Sequence, residues 1–332
     1  MQRKAYEDHL RKQEMAETEI IIRCEAIQTF LRRLEQSGVD AALADKEDFY
    51  RIAEDMIAEG SNTIENFDAV CEYLLWADLR AQYIALTEIT DCYNGMDTLA
   101  EAVEARHGTD IRRQIFTDPA PPLGAREAER CAYTRTVMRR MADLLTEEEA
   151  QAAWFEVQHG IPKSYWKRYD AREREQAVPG ETVEAFLQRK RRERNQNVQR
   201  MHDQNALWFT MEITDEVLDF VIHDLHMQIG EHNGRKGIII TKVPYQPAKV
   251  LHAADAKMKR YYACHCPLTR EAILREEPIS PFGCYCSLGH ASHFLKGLGL
   301  ELQGEVLQSV VQGDERCRFI FYLPEDAGRR DA

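Results

Sequence analysis

Two short motifs near the C-terminal end place thiols one residue apart, Cys264-His265-Cys266 and Cys284-Tyr285-Cys286. Thiolates are soft ligands, so two such pairs brought together fit Zn²⁺ or another thiophilic metal. The composition of Tyr261–Cys266 predicts a strand, in which Cys264 and Cys266 share one face and His265 takes the other. Zinc knuckles generally leave two or more residues between cysteines, because the turn must aim both sulfurs at the ion. The one-residue spacing therefore leaves two further chemistries open. Cys286 precedes Ser287, the expected N-cap of a helix over 287–298, and a helix N-terminus favours a reactive thiolate. Alternatively all four are small buried core residues, as reduced cysteines often are.

Other residues could join these. Cys317 opens an expected strand with Phe319, Phe321 and Leu323, and becomes a fifth ligand if the sheet delivers it to the other four. His290 and His293 are neighbours on the helix after Cys286, where His290 could complete a Cys/His site or act with Cys286 in catalysis. Asp219, His223 and His226 fall on one flank of an expected helix over 215–229. A carboxylate and two imidazoles are what a facial iron site or a hydrolytic zinc site uses, though helical polar flanks often produce such trios by chance. The basic run Arg189-Lys190-Arg191-Arg192-Glu193-Arg194 reads as a solvated helix face paired with neighbouring acids. No Walker loop, dinucleotide fingerprint or nucleophile-elbow serine motif is present.

Composition bounds the class. The chain has 332 residues, 43 basic and 56 acidic, for a net charge of −13. It is 44% hydrophobic and 30% charged, which is the balance of a globular protein. The acidic excess argues against nucleic-acid binding. No apolar run approaches the roughly 18 residues of a membrane span, and the charged start Met1–His9 lacks the apolar core of a secretory signal. Nine cysteines are odd in number and too sparse for a secreted disulfide scaffold, so a reducing, cytoplasmic location is expected. Residues 206–332 hold 14 basic and 17 acidic residues, so −10 of the net charge precedes residue 206. Four cysteines, Cys24, Cys71, Cys92 and Cys131, are scattered through the earlier part, whereas five gather in the last quarter.

The elements that must position these groups are legible in outline. Ile20, Ile27, Phe30, Leu31 and Leu34 recur at helical spacing up to Ser37-Gly38. A second helix is expected over 46–59, and a long third with Phe67, Val70, Leu74, Leu79 and Leu86 on one side. Thr98–His107 is a fourth. Three prolines in Asp118–Gly124 mark a linker. Helix resumes at Arg126, Thr146 with Glu149 forms a capping box, His159-Gly160-Ile161-Pro162 ends that helix, and a last long one runs from Glu181 to about Asp203. Strands are expected over 207–213, 237–243, 261–266, 305–311 and 316–323, the last two joined by a hairpin turn at Gln312–Glu315. The expected fold class is α+β: a helical domain 1–117, a linker 118–124, a helical region 125–205, an α+β pocket domain 206–325 with a mainly antiparallel sheet, and a tail 326–332.

The segments Gly289–Gly299 and Val310–Phe319, with the pattern Gly-Asp-x-x-Cys-x-Phe at Gly313–Phe319, resemble the ending of 4-vinyl-reductase-type ligand-binding domains and of aminothiazoline-carboxylate hydrolase-like bacterial proteins. The resemblance covers about the last third of the chain. It implies an α+β domain that encloses a small molecule, often beside a metal. In effector-sensing members the hairpin cysteine and another eight residues earlier hold zinc. Here Cys317 is retained but the eighth residue before it is Ser309, so the two Cys-x-Cys pairs would supply the remaining ligands. Aromatics of the helical region, such as Trp154, Tyr165 and Trp166, are expected to face the ligand, and the N-terminal helices could also form a homodimer. The leading expectation is a metal- or thiol-dependent enzyme of hydrolytic or C–S/C–N-cleaving type on a small heterocyclic or thiol-containing substrate. The other is a non-catalytic sensor or carrier of an aromatic, tetrapyrrole or metal ligand.

Overall fold

The structure, a computed structural model, describes residues 2–232 and 237–324. The expected tail 326–332 lies outside the described residues. The chain is α+β, with a helical N-terminal two-thirds followed by a small antiparallel sheet. It divides into two compact units. One is Met1–Tyr93 with Ala120–Arg130, and the other is Asn94–Pro119 with Cys131–Ala332. The division differs from the expected one at 118–124. Leu99 and Val103 pack with the second unit, and the proline-rich segment sends the chain back to the first.

The first unit is held by an apolar core that includes Phe30, Phe49, Phe67, Ile27 and Ile52. The helix Lys46–Glu59 has the bounds the sequence predicts. Asp45 accepts the Asp48 N–H at 3.0 Å, Asp48 accepts the Asp45 N–H at 3.0 Å, and Gly60 ends the helix in the left-handed region. The long helix expected through Phe67 and Leu86 is instead two, Ile64–Trp76 and Arg80–Thr90. Asp78 takes a positive φ between them, so the Leu79 N–H closes back on the Leu74 carbonyl at 2.8 Å. A short polar side chain tolerates that conformation, and no glycine marked the break.

The second unit carries the sheet. Strands β1 (Glu231–His232), β2 (Gly237–Thr241), β3 (Gln303–Gln308) and β4 (Arg318–Tyr322) are ordered β1-β2-β4-β3, every neighbour antiparallel. Ile238, Ile240, Phe319 and Phe321 share a buried core with Phe186 and Leu187 of the helix Val183–Asp203 and with Leu288 and Leu295. The Thr146–Glu149 capping box forms, with the Glu149 N–H on Thr146 at 3.3 Å and the Thr146 N–H on Glu149 at 2.8 Å. It starts the helix Glu147–Phe155.

Several expected elements differ. Residues 207–213 form no strand: Trp208 and Met211 exchange backbone hydrogen bonds around a turn in which Phe209 has positive φ. Residues 261–263 end a helix, Ala256–Ala263, because Asp255 caps it by accepting the Met258 N–H at 2.8 Å. The strand preference of the Tyr261-Tyr262 pair is overridden by that cap. The helix after Thr214 stops at His223 rather than reaching Ile229. Val310–Gln312 is a 3₁₀ turn rather than strand, and it leads into Gly313 at φ +104°.

One close approach holds the site in register. Gly289, on the helix Tyr285–Ser292, lies against the Phe155 carbonyl, where a Cβ would overlap the oxygen. Gly289→Ala should therefore destabilise the protein by about 3 kcal/mol, against about 1 kcal/mol for Thr146→Ala. Urea unfolding of both variants against wild type measures the difference, and equal midpoints would remove the close-packing argument.

Candidate functional site

All five C-terminal cysteines line one small chamber. Cys264 and Cys266 come from the segment leaving the helix Ala256–Ala263. Cys284 and Cys286 come from the run that begins as a 3₁₀ turn at Pro281, and Cys317 from the approach to β4. Antiparallel pairing of Thr241 with Arg318 sets Lys242 beside Cys317, and the Lys242 N–H donates to the Cys317 carbonyl at 2.9 Å. Lys242 is therefore the sixth wall of the chamber. The space is about 20 Å³, enough for one water-sized group.

A hydrogen-bonded string runs along one wall. Lys242 Nζ lies 2.8 Å from His159 Nε2 and donates to Ser287 Oγ at 2.7 Å. His159 turns both its backbone and its ring to Cys286: the N–H donates to Sγ at 3.0 Å, and Nδ1 is 3.9 Å from the same sulfur. Gln158 and His159 both have positive φ, +47° and +61°, a conformation that side-chain-bearing residues rarely adopt. Opposite, Cys284 Sγ lies 2.9 Å from Ser309 Oγ. Cys286 is buried, but not by the device the sequence suggested. The helical run starts at Pro281, capped by Ser280, so Cys286 is not followed by an N-cap at Ser287. The donor on its sulfur is the His159 N–H instead.

Burial governs protonation here. Desolvation pushes the Cys264 thiol up to about 12, Cys284 well above the usual thiol range, and Cys317 upward. Desolvation lowers Lys242 as well. His159 and His265 are held well below ordinary histidine and His290 at about 3, by desolvation first and then by the neighbouring Lys242 charge. The imidazoles His159, His265 and His290 thus rest neutral.

The predicted site residues separate into those that converge and those that do not. His265 Nε2 donates to the Val243 carbonyl at 2.6 Å, and its ring lies 6.1 Å from that of His159. The strand argument that put His265 opposite its cysteines is corrected, since all three sit in non-strand chain and line the same chamber. His290 stands edge-on to His159 with centroids 4.9 Å apart. His293 faces away from the chamber, stacked 3.9 Å from Trp166 and donating from Nδ1 to Asp170 at 2.6 Å. Asp219, His223 and His226 do not form a site: Asp219 and His223 pair with each other at 3.0 Å in the open, and His226 pairs with Glu231 at 3.1 Å beyond the helix end. The basic run is partly internal, since Lys190 is buried between Glu173 and Glu193 and Arg194 is buried against the Met227 carbonyl. Among the described residues no group of three or more His, Cys, Asp or Glu side chains is arranged to hold a metal ion.

Sequence reasoning missed His159, Lys242, Ser287 and Ser309. His159 was visible only as part of a helix stop, and its signal would have been an ionisable residue directly before a glycine-proline turn. Lys242 is the one charged residue within the apolar run Gly237–Val243, a departure that marks a charge carried toward the interior.

Two larger cavities lie in the same unit. One, about 430 Å³, shares Lys242 and Cys317 with the chamber. The other, about 220 Å³, is walled by Tyr165, Trp166, Tyr169, Phe294 and His290. Tyr165 and Trp166 thus border a cavity, whereas Trp154 is fully buried in the core. No family model, curated protein or solved structure matches the chain. Among the described residues no helix is long and apolar enough to cross a membrane.

The lowered histidines fix a sign for pH dependence. Below about pH 6.5 the unfolded chain binds protons that folded His159, His265 and His290 refuse, so stability falls as pH drops, down to about 3 for His290. Each contributes a slope on the order of 1.4 kcal/mol per pH unit. Urea unfolding between pH 7 and 5 should show a shallower acid loss in His290→Gln than in wild type. Parallel curves would contradict a neutral, desolvated His290.

Proposed function

We propose that the second unit is a small-molecule enzyme whose reactive group is the Cys286 thiol, cleaving a C–N or C–S bond by hydrolysis. The observation that carries this is the double approach of His159 to Cys286, by backbone N–H at 3.0 Å and by ring Nδ1 at 3.9 Å. These contacts supply Cys286 with an acid–base group. A small heterocyclic or thiol-containing substrate suits this reading, because its reacting bond is compact and the chamber is narrow. The ending that resembles 4-vinyl-reductase-type and aminothiazoline-carboxylate hydrolase-like domains fits a ligand-enclosing role for the same region.

The chemistry balances with protein groups and water. Sγ attacks an electrophilic carbon as the thiol proton passes to His159 Nδ1. That proton then goes to the departing nitrogen or sulfur, the C–N or C–S bond breaks, and the carbon stays on Cys286. Water, giving a proton to His159, attacks the same carbon and returns the thiol. This chemistry requires His159 as the Nε2–H tautomer and Lys242 as a free amine that accepts that hydrogen across the 2.8 Å contact and donates onward to Ser287. The expected sign is preferential modification of Cys286 by a small thiol reagent, methyl methanethiosulfonate, at about pH 6–7, slowed about tenfold in His159→Ala. Peptide mapping reads it. Labelling spread evenly over the nine cysteines, or a rate untouched by His159→Ala, would count against Cys286.

A second reading is favoured by one observation, that Cys264, Cys266, Cys284 and Cys317 line the same chamber. Four soft donors suit zinc or another thiophilic metal, which when bound would polarise a substrate or activate water. Elemental analysis of protein purified without an affinity tag should then find one such metal per chain, released in Cys264→Ser with Cys284→Ser. Protein lacking metal under reducing conditions would end this reading and leave the thiol one standing.

A further inference from the structure

Two lysines of the second unit turn inward, Lys190 buried and Lys242 half-buried, and they are treated differently. Lys190 is clamped by the carboxylates of Glu173 at 2.8 Å and Glu193 at 2.9 Å. Lys242 has no carboxylate within ion-pair distance among the described residues, and its amine meets His159 and Ser287 instead. A lysine enclosed without a counter-ion, beside a proton acceptor and a hydroxyl, has the surroundings of an amine nucleophile rather than of a structural cation. It also lines the 430 Å³ cavity, large enough for a small metabolite.

That cavity states a preference. Its apolar wall includes Phe220, Met227 and Val250, and its charged lining has Lys259, Arg260 and Arg316 against the carboxylates of Asp255 and Glu315, so the cations, with Lys242, outnumber the anions. Asp255 is occupied in capping its helix and Arg316 in pairing with Asp224 at 3.2 Å. Arg260 gives one bond to the Gly313 carbonyl at 3.3 Å, while its Nε is buried with no partner among the described residues. An unpaired buried guanidinium N–H is costly to leave, and a carboxylate oxygen would satisfy it.

We propose that Lys242 forms an imine with a small carbonyl compound that bears a carboxylate, a 2-oxo acid, admitted through this cavity with its carboxylate toward Arg260. The Nζ lone pair attacks the carbonyl carbon. A proton leaves Nζ for His159 Nε2, with the ring in its Nδ1–H tautomer, and passes to the former carbonyl oxygen. That oxygen departs as water after a second proton transfer from nitrogen, and a C=N bond remains. No oxidant or reductant is needed. This step goes beyond the thiol reading and does not require Cys286.

Trapping tests it on the whole chain. Protein is incubated briefly at neutral pH with limiting glyoxylate and sodium cyanoborohydride, which reduces any imine to a carboxymethyl-lysine, and every lysine is then mapped by peptide mass spectrometry. Lys242 should be labelled about tenfold faster or more than exposed Lys163 or Lys259. Acetaldehyde, which lacks the carboxylate, should label it more slowly, and Arg260→Met should erase that preference. Labelling of Lys242 no faster than of Lys259 overturns the proposal, and equal rates for the two aldehydes overturn its carboxylate part. Because the wild-type map needs no variant, a folding defect in Lys242→Met cannot obscure the result. Persistence of fast labelling in Cys286→Ser is expected, and it separates this inference from the thiol reaction.

Discussion

The second unit is organised around one awkward group, the Lys242 amine, enclosed beside five thiols in a space that holds a single water. An ammonium there would need an anion, and no carboxylate of the described residues reaches it. Its contacts are an imidazole and a hydroxyl. Neutral neighbours follow from that choice. A charged Lys242 disfavours protonation of His159, His265 and His290, and desolvation acts in the same direction. Cys264, Cys284 and Cys317 are pushed toward the thiol form by the same burial. The two adjacent residues with positive φ at Gln158 and His159 each store on the order of 1–3 kcal/mol of backbone strain. That conformation aims one N–H and one ring at Cys286.

The architecture delivers these groups from five separate stretches of chain. The β2–β4 register fixes Lys242 against Cys317. Asp255 ends the loop before the helix Ala256–Ala263, so that Cys264 and Cys266 emerge from its far end. Gly289 lets the helix of Cys286 approach the helix ending at Phe155, four residues before His159. Gly313 and Asp314 shape the turn that presents Ser309, with the Ser309 N–H on Asp314 at 2.7 Å. The chamber is thus a product of tertiary packing, and none of its walls is a continuous motif.

This explains what the sequence could and could not disclose. Caps and glycines act locally, so Gly60 and Thr146 with Glu149 marked real helix ends. The antiparallel C-terminal sheet and the scattered, buried Cys24, Cys71, Cys92 and Cys131 were legible for the same reason: burial preference is a property of residue type. The convergence of five cysteines was open, because one-residue spacing does not say which way a non-strand segment turns its sulfurs. Periodicity misled at 215–229, where Asp219, His223 and His226 share a helical flank on paper but the helix ends at His223. His159 and Lys242 lie 83 residues apart and meet only through the fold. No local rule joins them.

The five thiols are not equivalent, and the difference lies in what surrounds each sulfur rather than in burial. Cys284 faces the Ser309 hydroxyl, a partner that can give or accept a hydrogen but carries no charge. Cys286 faces an imidazole that can take its proton and an amide that can stabilise the anion left behind. A proton leaving Cys286 can be held on His159 or, one hydrogen bond further, on Lys242. Moving it along the string turns two neutral groups into a thiolate and an ammonium without altering the net charge of the enclosed site. That is the cheapest way to create an anion in a low-dielectric interior, since each new charge is compensated where it forms. The same accounting governs a metal-bound set of thiolates, whose excess negative charge would be offset by a protonated Lys242. Under either chemistry the lysine, not the cysteines, sets how much negative charge the chamber can hold.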